Sequence, residues 1–426
     1  MGICLFLFIQ CKPEKVIYVK ICVIINIGKN IKNIYKEEVL FHKLTYTRPY
    51  ETKHAFMIKY FALLFSVVFF LPTSIFAGPG RTGAQILNLG GGARARALGD
   101  AFSAMSGDVT ASLWNPSGLA EMPESKLRAG QKGAQASMFY TDYSAPFGEA
   151  GEGLYYTFIS GAMPLGNAGT VGATLQLQGQ GTIQVTSDSP DVLREESLGT
   201  NMALTFSYAD RITDSLVAGI NGKMIRMVLG RESGSSYAVD LGMQYLLPFD
   251  LIPTTLGVVV QNIGPGISFI DENQADPLPR MLRIGTSTSL YHDRFNHLRF
   301  VSGISAYIDK LREDEAELHA DLERLNVDRA EKLTEEQLLS DRGVGLRAFE
   351  WRHLQKNLGL EYWLGNLLAL RVGYKSEPGI NLPELTDYIT YGIGIKLYLF
   401  NLDITYGPRF GPSQARLIEA TGVVAF

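Results

Sequence analysis

From about Leu154 onward the chain repeats one pattern: roughly ten residues in which apolar side chains alternate with polar ones or glycine, then a turn. Val171, Ala173, Leu175 and Leu177 alternate with Gly172, Thr174, Gln176 and Gln178. Met202, Leu204, Phe206 and Tyr208 alternate with Ala203, Thr205 and Ser207, and Leu368, Leu370, Val372 and Tyr374 with Ala369, Arg371, Gly373 and Lys375. Successive side chains of a strand point to opposite faces, so each run has one apolar face and one polar or glycine face. The pattern predicts fourteen strands, near 126–138, 153–163, 169–183, 199–210, 213–229, 237–247, 254–262, 281–290, 297–308, 354–364, 367–375, 388–400, 402–407 and 416–426.

A soluble sandwich alternates in the same way. Loop length separates the two cases. Connections from even to odd strands are short, the tightest being Arg211-Ile212, Gly365-Asn366 and Asn401, whereas 139–152, 184–198, 263–280 and 309–353 are long. The weaker long-side members are 230–236 and 408–415. Short turns on one side and long loops on the other are the habit of transmembrane barrels. With no water in hydrocarbon, a closed antiparallel ladder pairs every amide internally. The expectation is therefore all-β: a transmembrane antiparallel β-barrel of about 14 strands, in the outer membrane of a bacterial cell and surrounded by its lipid. The last run places Ile418, Ala420, Gly422, Val424 and the terminal Phe426 on one face. An aromatic end on the apolar face resembles the C-terminal signal that the barrel-assembly machinery of such proteins reads.

Export has its own signature. Met57-Ile58-Lys59-Tyr60 is a short basic start, Phe61 to Leu71 an apolar core, and Pro72 to Ala77 ends in a small residue before Gly78. This reads as a signal peptide over 57–77; its core is too short to cross a bilayer, which takes about 20 residues. Residues 1–56 are then expected to be a non-native upstream extension, with Met57 as initiator. All three cysteines (Cys4, Cys11 and Cys22) fall within it, so the exported part has no disulfide framework. From Met57 onward, 30 Lys and Arg face 39 Asp and Glu, a net −9. With no basic footprint, nucleic acid is not expected as a partner.

Residues 78–124 do not alternate. They are rich in Gly and Ala, with a short helix expected from an Asp108 cap through Trp114 and stopped by Pro116. Gly90-Gly91-Gly92 fits neither the Rossmann nor the P-loop spacing, and no cofactor is implied. The stretches Gly91-Gly92-Ala93-Arg94-Ala95, Leu98-Gly99-Asp100-Ala101-Phe102 and Trp114-Asn115-Pro116-Ser117-Gly118-Leu119-Ala120 resemble the N-terminal hatch of the PorV/PorQ-like branch of the long-chain fatty acid transporter (FadL) superfamily. Barrel segments Leu282-Arg283-Ile284-Gly285 and Leu368 to Lys375 carry further likeness, so it spans roughly 80–426. The family usually has Ala where Ser117 stands. The resemblance implies a hatch over 78–124 inside a barrel over 125–426, with Gly91, Gly92, Arg94, Asp100, Trp114, Asn115, Pro116 and Gly118 as gate elements. Asn115-Pro116 is expected to cap and turn the hatch.

Residues 309–342 break the rhythm. They are dense in charge, with Leu311, Leu318 and Leu325 seven apart, which predicts an amphipathic helix and then a second short one from Thr334. By loop parity this insertion lies outside the cell, as a solvated rim element or a docking element.

No catalytic constellation accompanies His292, His297, His319 and His353, the histidines after the signal, and no enzyme and no metal site are expected. Two functions remain open. The resemblance implies passage of small hydrophobic molecules through the barrel wall or past a displaced hatch. PorV-like members imply instead a surface component of type IX secretion that binds exported proteins. The external insertion favours partners, and the Gly, Gln and Thr of the inner face favour polar gating over a greasy channel.

Overall fold

The structure, a computed structural model, describes residues 2–12, 16–27, 30–39, 82–123, 133–144, 152–186, 192–248, 252–270, 275–308, 354–378, 385–408 and 416–426. The chain divides into two compact units, Met1–Phe61 and Ala62–Phe426. In the first, Gly2–Lys12, Val16–Ile27 and Asn30–Val39 form a three-stranded antiparallel sheet. The region 309–342 and the whole of the expected signal peptide, 57–77, lie outside the described residues.

The second unit is a closed barrel of fourteen antiparallel strands in sequence order. They are β1 (Gln135–Asp142), β2 (Leu154–Pro164), β3 (Thr170–Gln180), β4 (Thr200–Arg211), β5 (Leu216–Leu229), β6 (Glu232–Leu246) and β7 (Thr254–Ile263). Then follow β8 (Met281–His292), β9 (His297–Tyr307), β10 (Gln355–Leu364), β11 (Leu368–Pro378), β12 (Leu385–Leu397), β13 (Phe400–Pro408) and β14 (Arg416–Ala425). The ring closes where β14 pairs β1, from Ala420 opposite Tyr140 to Ala425 opposite Gln135, and Phe426 donates its N–H to Ala134.

Three details depart from the sequence reading. The first strand is Gln135–Asp142, not 126–138. Strands β5 and β6 continue past the expected 230–236 loop and meet at a tight Gly230-Arg231 turn, an exception to the rule of long loops on that side. The turn placed at Asn401 is instead Tyr398-Leu399, with Tyr398 at φ 33°. A separate hairpin, Thr182–Thr186 against Val192–Ser197, occupies the β3–β4 connection. In the β8–β9 turn, the Tyr291 hydroxyl and the Phe295 and Asn296 amides hold the exposed Asp293 carboxyl below its usual range.

The alternation sorts into an inverted globule. Outward positions are exposed and apolar, such as Met224 at 62%, Tyr237 at 66% and Ile418 at 73%. Inward ones are polar and sealed: Thr205, Asn221, Asp240 and Glu361 are all at 0%. In water this arrangement would leave a continuous apolar belt exposed, far beyond the patches soluble monomers tolerate. Lipid removes that cost. Among the described residues, no helix is long and apolar enough to cross a membrane.

Candidate functional site

Residues 82–123 fill the lumen as a hatch of short turns. The expected helix after Asp108 is a 3-10 turn, Val109–Leu113, whose first free amide, Thr110 N–H, is taken by the Asp108 carboxylate. Asn115 then caps a second turn, Pro116–Glu121, accepting from the Ser117 amide at 3.2 Å and the Ser117 hydroxyl at 2.7 Å, with Pro116 at the first position, where no N–H is needed. The Asn115 amide donates to Ser103 O at 2.7 Å, so one fully buried side chain ties two turns together. The Trp114 indole N–H donates to Gly91 O at 2.9 Å, and its ring lies under the Arg283 guanidinium of β8, 5.2 Å away.

Glycines on the wall let this segment approach. A Cβ on Gly219 would stand 2.5 Å from Pro116 C, one on Gly257 2.8 Å from Ala104 Cα, one on Gly285 2.7 Å from Ser103 Oγ, and one on Gly359 2.7 Å from Leu98 O. On Gly242 it would meet Asn115, and on Gly373 the Gly99 amide. The hatch answers in kind: Gly92 has φ +90°, and a Cβ on Gly118 would lie 2.6 Å from Met105 O, while on Gly91 it would strike Leu113. The polar wall pays the backbone debts of a segment too short for regular structure. Asn221 donates to Ser112 O, Gln261 to Leu113 O, Gln244 to Met105 O and Asn357 to Gly99 O, and Gln135 accepts from Val109 N–H.

Ion pairs pin the middle of the hatch. Arg94 makes a fork onto Glu361 of β10 (2.9 and 2.8 Å) and reaches Asp108 at 3.2 Å. Glu361 also receives Arg371 at 2.8 Å and faces Arg299 at 3.6 Å, and Arg371 bonds Asp403 at 2.7 Å. A second cluster joins Asp100 (φ +63°) to Lys375 of β11 at 2.7 Å and to Arg96 at 3.1 Å, with Arg96 also 3.4 Å from Glu419 of β14. In a third, on the wall, Lys223 bridges Asp240 and Asn262. Of the eight expected gate residues, Arg94 and Asp100 are the charged anchors, Trp114, Asn115 and Pro116 shape the turns, and Gly91, Gly92 and Gly118 make room. The wall carboxylates and cations that complete the anchors were not singled out from sequence; charges recurring on an inward face, as Arg371 and Lys375 do, were the available signal.

The hatch runs the length of the barrel. Gly83 N–H donates to Pro277 O in the long β7–β8 connection, while Glu121 pairs with Arg211 at the short-turn end, 2.6 Å apart. At the long-loop end its first residues meet apolar rather than polar walls. Ala84 and Ile86 are buried in one cluster with Phe139, Tyr156, Phe158, Ile225, Met227 and Ile267. Phe139 and Phe158 stack at 5.2 Å, and the Tyr156 hydroxyl donates to Gly90 O at 2.6 Å. No charged side chain stands between Thr82 and Gly92. Among the described residues there is no group of acids, histidines and cysteines able to hold a metal ion.

No family model and no curated protein matches the sequence. Among solved structures, the chain is similar to the Pseudomonas putida toluene transporter TodX, at 13% identity and TM-score 0.47, over 79% of this chain and 97% of that one. It is similar to the CymD monoaromatic hydrocarbon channel at 12% and 0.48, over 79% and 98%, and to a mutant porin of Rhodopseudomonas blastica at 8% and 0.29, over 69% and 98%. All three likenesses are too distant to bear on function.

Proposed function

We propose that the chain is an outer-membrane barrel of the FadL kind that passes small hydrophobic molecules, with residues 82–92 of the hatch as its gate. The observation that carries this reading is the apolar, aromatic cluster at the long-loop end of an otherwise polar lumen, filled by the hatch's own Ile86. Everything from Arg94 to Glu361 and Asp100 to Lys375 resists extraction, because removing one partner strands a buried charge. The uncharged first stretch is held by apolar contact and a few hydrogen bonds, and an apolar ligand can replace those contacts at little cost. A hydrophobic molecule entering from the long-loop side would take the place of Ile86 in the cluster that holds the Phe139, Tyr156 and Phe158 rings. Surface service in protein secretion draws on the 309–342 insertion and has no observation among the described residues in its favour.

A cross-link tests the gate. A Cβ on Gly83 would lie 3.1 Å from Asp276 Cβ, just under the usual disulfide span of about 3.5–4.5 Å, and would strike Ile267 Cγ2, so the Gly83→Cys and Asp276→Cys pair is built on an Ile267→Ala background that clears the clash and serves as its reference. Oxidation should stop uptake of a labelled monoaromatic hydrocarbon by cells carrying the protein, and reduction should restore it. A wall-only pair, Gly172→Cys with Ser207→Cys, whose added Cβ would be 3.5 Å from Ser207 Cβ, should leave uptake unchanged. Undiminished uptake through the Gly83–Asp276 lock refutes the gate; no uptake by the unmodified protein refutes the function.

A further inference from the structure

The apolar cluster that Ile86 fills has a polar corner. The Tyr156 hydroxyl donates to Gly90 O at 2.6 Å and the Trp114 indole N–H to Gly91 O at 2.9 Å, and both side chains are buried. We propose that this pair of donors selects the cargo: an aromatic molecule carrying one neutral hydrogen-bond acceptor, such as a carbonyl, ester or nitro group. The inference rests on residues 82–92 acting as the gate and names the substrate class of that site.

The two acceptors belong to the gate and the two donors do not. Tyr156 is on β2, while Trp114 follows the charged anchor Arg94 and lies under the Arg283 guanidinium, 5.2 Å away. When residues 82–92 withdraw, the Gly90 and Gly91 carbonyls leave with them, and the O–H and N–H stay. A buried donor that gives up its acceptor costs free energy, and a ligand acceptor at the same place recovers it. An unsubstituted hydrocarbon fills the apolar space and recovers none of it.

Direction and position support the same ligand. The Gln176 amide of β3 donates to the Tyr156 oxygen at 2.8 Å, which leaves the phenolic proton to point at Gly90. A Cβ on Gly90 would stand 3.0 Å from Trp114 Cη2, and one on Gly91 3.2 Å from Phe158 Cε1. The departing carbonyls therefore lie against aromatic rings that an aromatic ligand can face. Both donors are neutral. They suit a neutral acceptor, whereas an ionised carboxylate would bring a charge that neither cancels.

Competition against uptake of a labelled monoaromatic hydrocarbon tests this, with acetophenone and α-methylstyrene as competitors, which differ only in a C=O against a C=CH2 group. Cells lacking the protein supply the background. The quantity read is the ratio of the two inhibition constants, compared between variants, so that differences in partition and in gate strength cancel. Tyr156→Phe should shift that ratio against acetophenone by about two- to tenfold, the worth of one neutral hydrogen bond. Tyr140→Phe, on the exposed outer face of β1, should leave it unchanged. Each variant is checked for the compact unheated gel band of an intact barrel. An unchanged ratio in Tyr156→Phe, or benzoate competing better than acetophenone, overturns the proposal and leaves the gate standing. Absence of uptake by the unmodified protein overturns both.

Discussion

Glu361 is the residue on which the hatch depends most. Its carboxylate is fully buried and faces three guanidinium groups, Arg94 and Arg371 at 2.8 Å and Arg299 at 3.6 Å. Glu361→Gln keeps the shape but leaves those three cations with only Asp108 and Asp403 to balance them, a net buried positive charge. Breaking a buried pair in this way costs about 3–5 kcal/mol. Arg94→Gln is milder. Glu361 keeps Arg371 and Arg299, and Asp108 keeps the Thr110 amide and hydroxyl, at 2.9 and 2.7 Å. The loss is then that of a charge-assisted hydrogen bond, roughly 1.5–3 kcal/mol. Urea unfolding in lipid vesicles, followed through tryptophan fluorescence with Trp114 in the hatch as reporter, measures both as shifts of midpoint at constant slope. Glu361→Gln should be the costlier by more than the error of the measurement. A Glu361→Gln protein as stable as the parent, or an Arg94→Gln protein destabilised as much, would refute the reading of Glu361 as the shared anchor.

Other outcomes follow from the same geometry. Gly373→Ala and Gly242→Ala, which thrust a methyl into the hatch, should destabilise by about 1–3 kcal/mol, whereas Gly222→Ala and Gly422→Ala, with no atom within 4 Å of the added carbon, should stay within about 0.5 kcal/mol in the same assay. With Cys4, Cys11 and Cys22, the three cysteines of the sequence, replaced by Ser, single thiols report topology cleanly. Ile270→Cys, 88% exposed in the β7–β8 connection, should label on intact cells with an impermeant maleimide, and Asp214→Cys in the β4–β5 turn only after permeabilisation. Deleting Phe426 should lower the amount of barrel assembled in cells, read by its heat-modifiable gel mobility, while purified chain still refolds in detergent.

Much of the barrel is written in period two, because lipid and lumen sit on opposite sides of every strand. The reading failed where that contrast fades. In β1 the inward Phe139 serves the aromatic cluster, so both faces turn apolar and 139–152 looked like loop. At the start of β6, Glu232 to Ser236 is polar on both faces and gave no alternation. At the β12–β13 turn, Leu397 to Phe400 is an unbroken apolar run, and the corner is made by Tyr398 in the left-handed region without a Gly, Asn or Pro to announce it. Hatch residues were legible as a Gly- and Ala-rich stretch with caps at Asp108 and Asn115, both of which cap as expected. Their partners were not: Arg94 finds Glu361 across 267 positions, a pairing set by barrel closure and not by any local spacing.

The central claim is that an apolar exterior seats this barrel in lipid. Fractionation of cells producing the protein tests it most directly. The account requires the mature chain in the outer-membrane fraction, resistant to extraction by alkaline carbonate and migrating faster on gels before heating than after. Recovery of the folded chain in the soluble periplasm, without detergent, would contradict it.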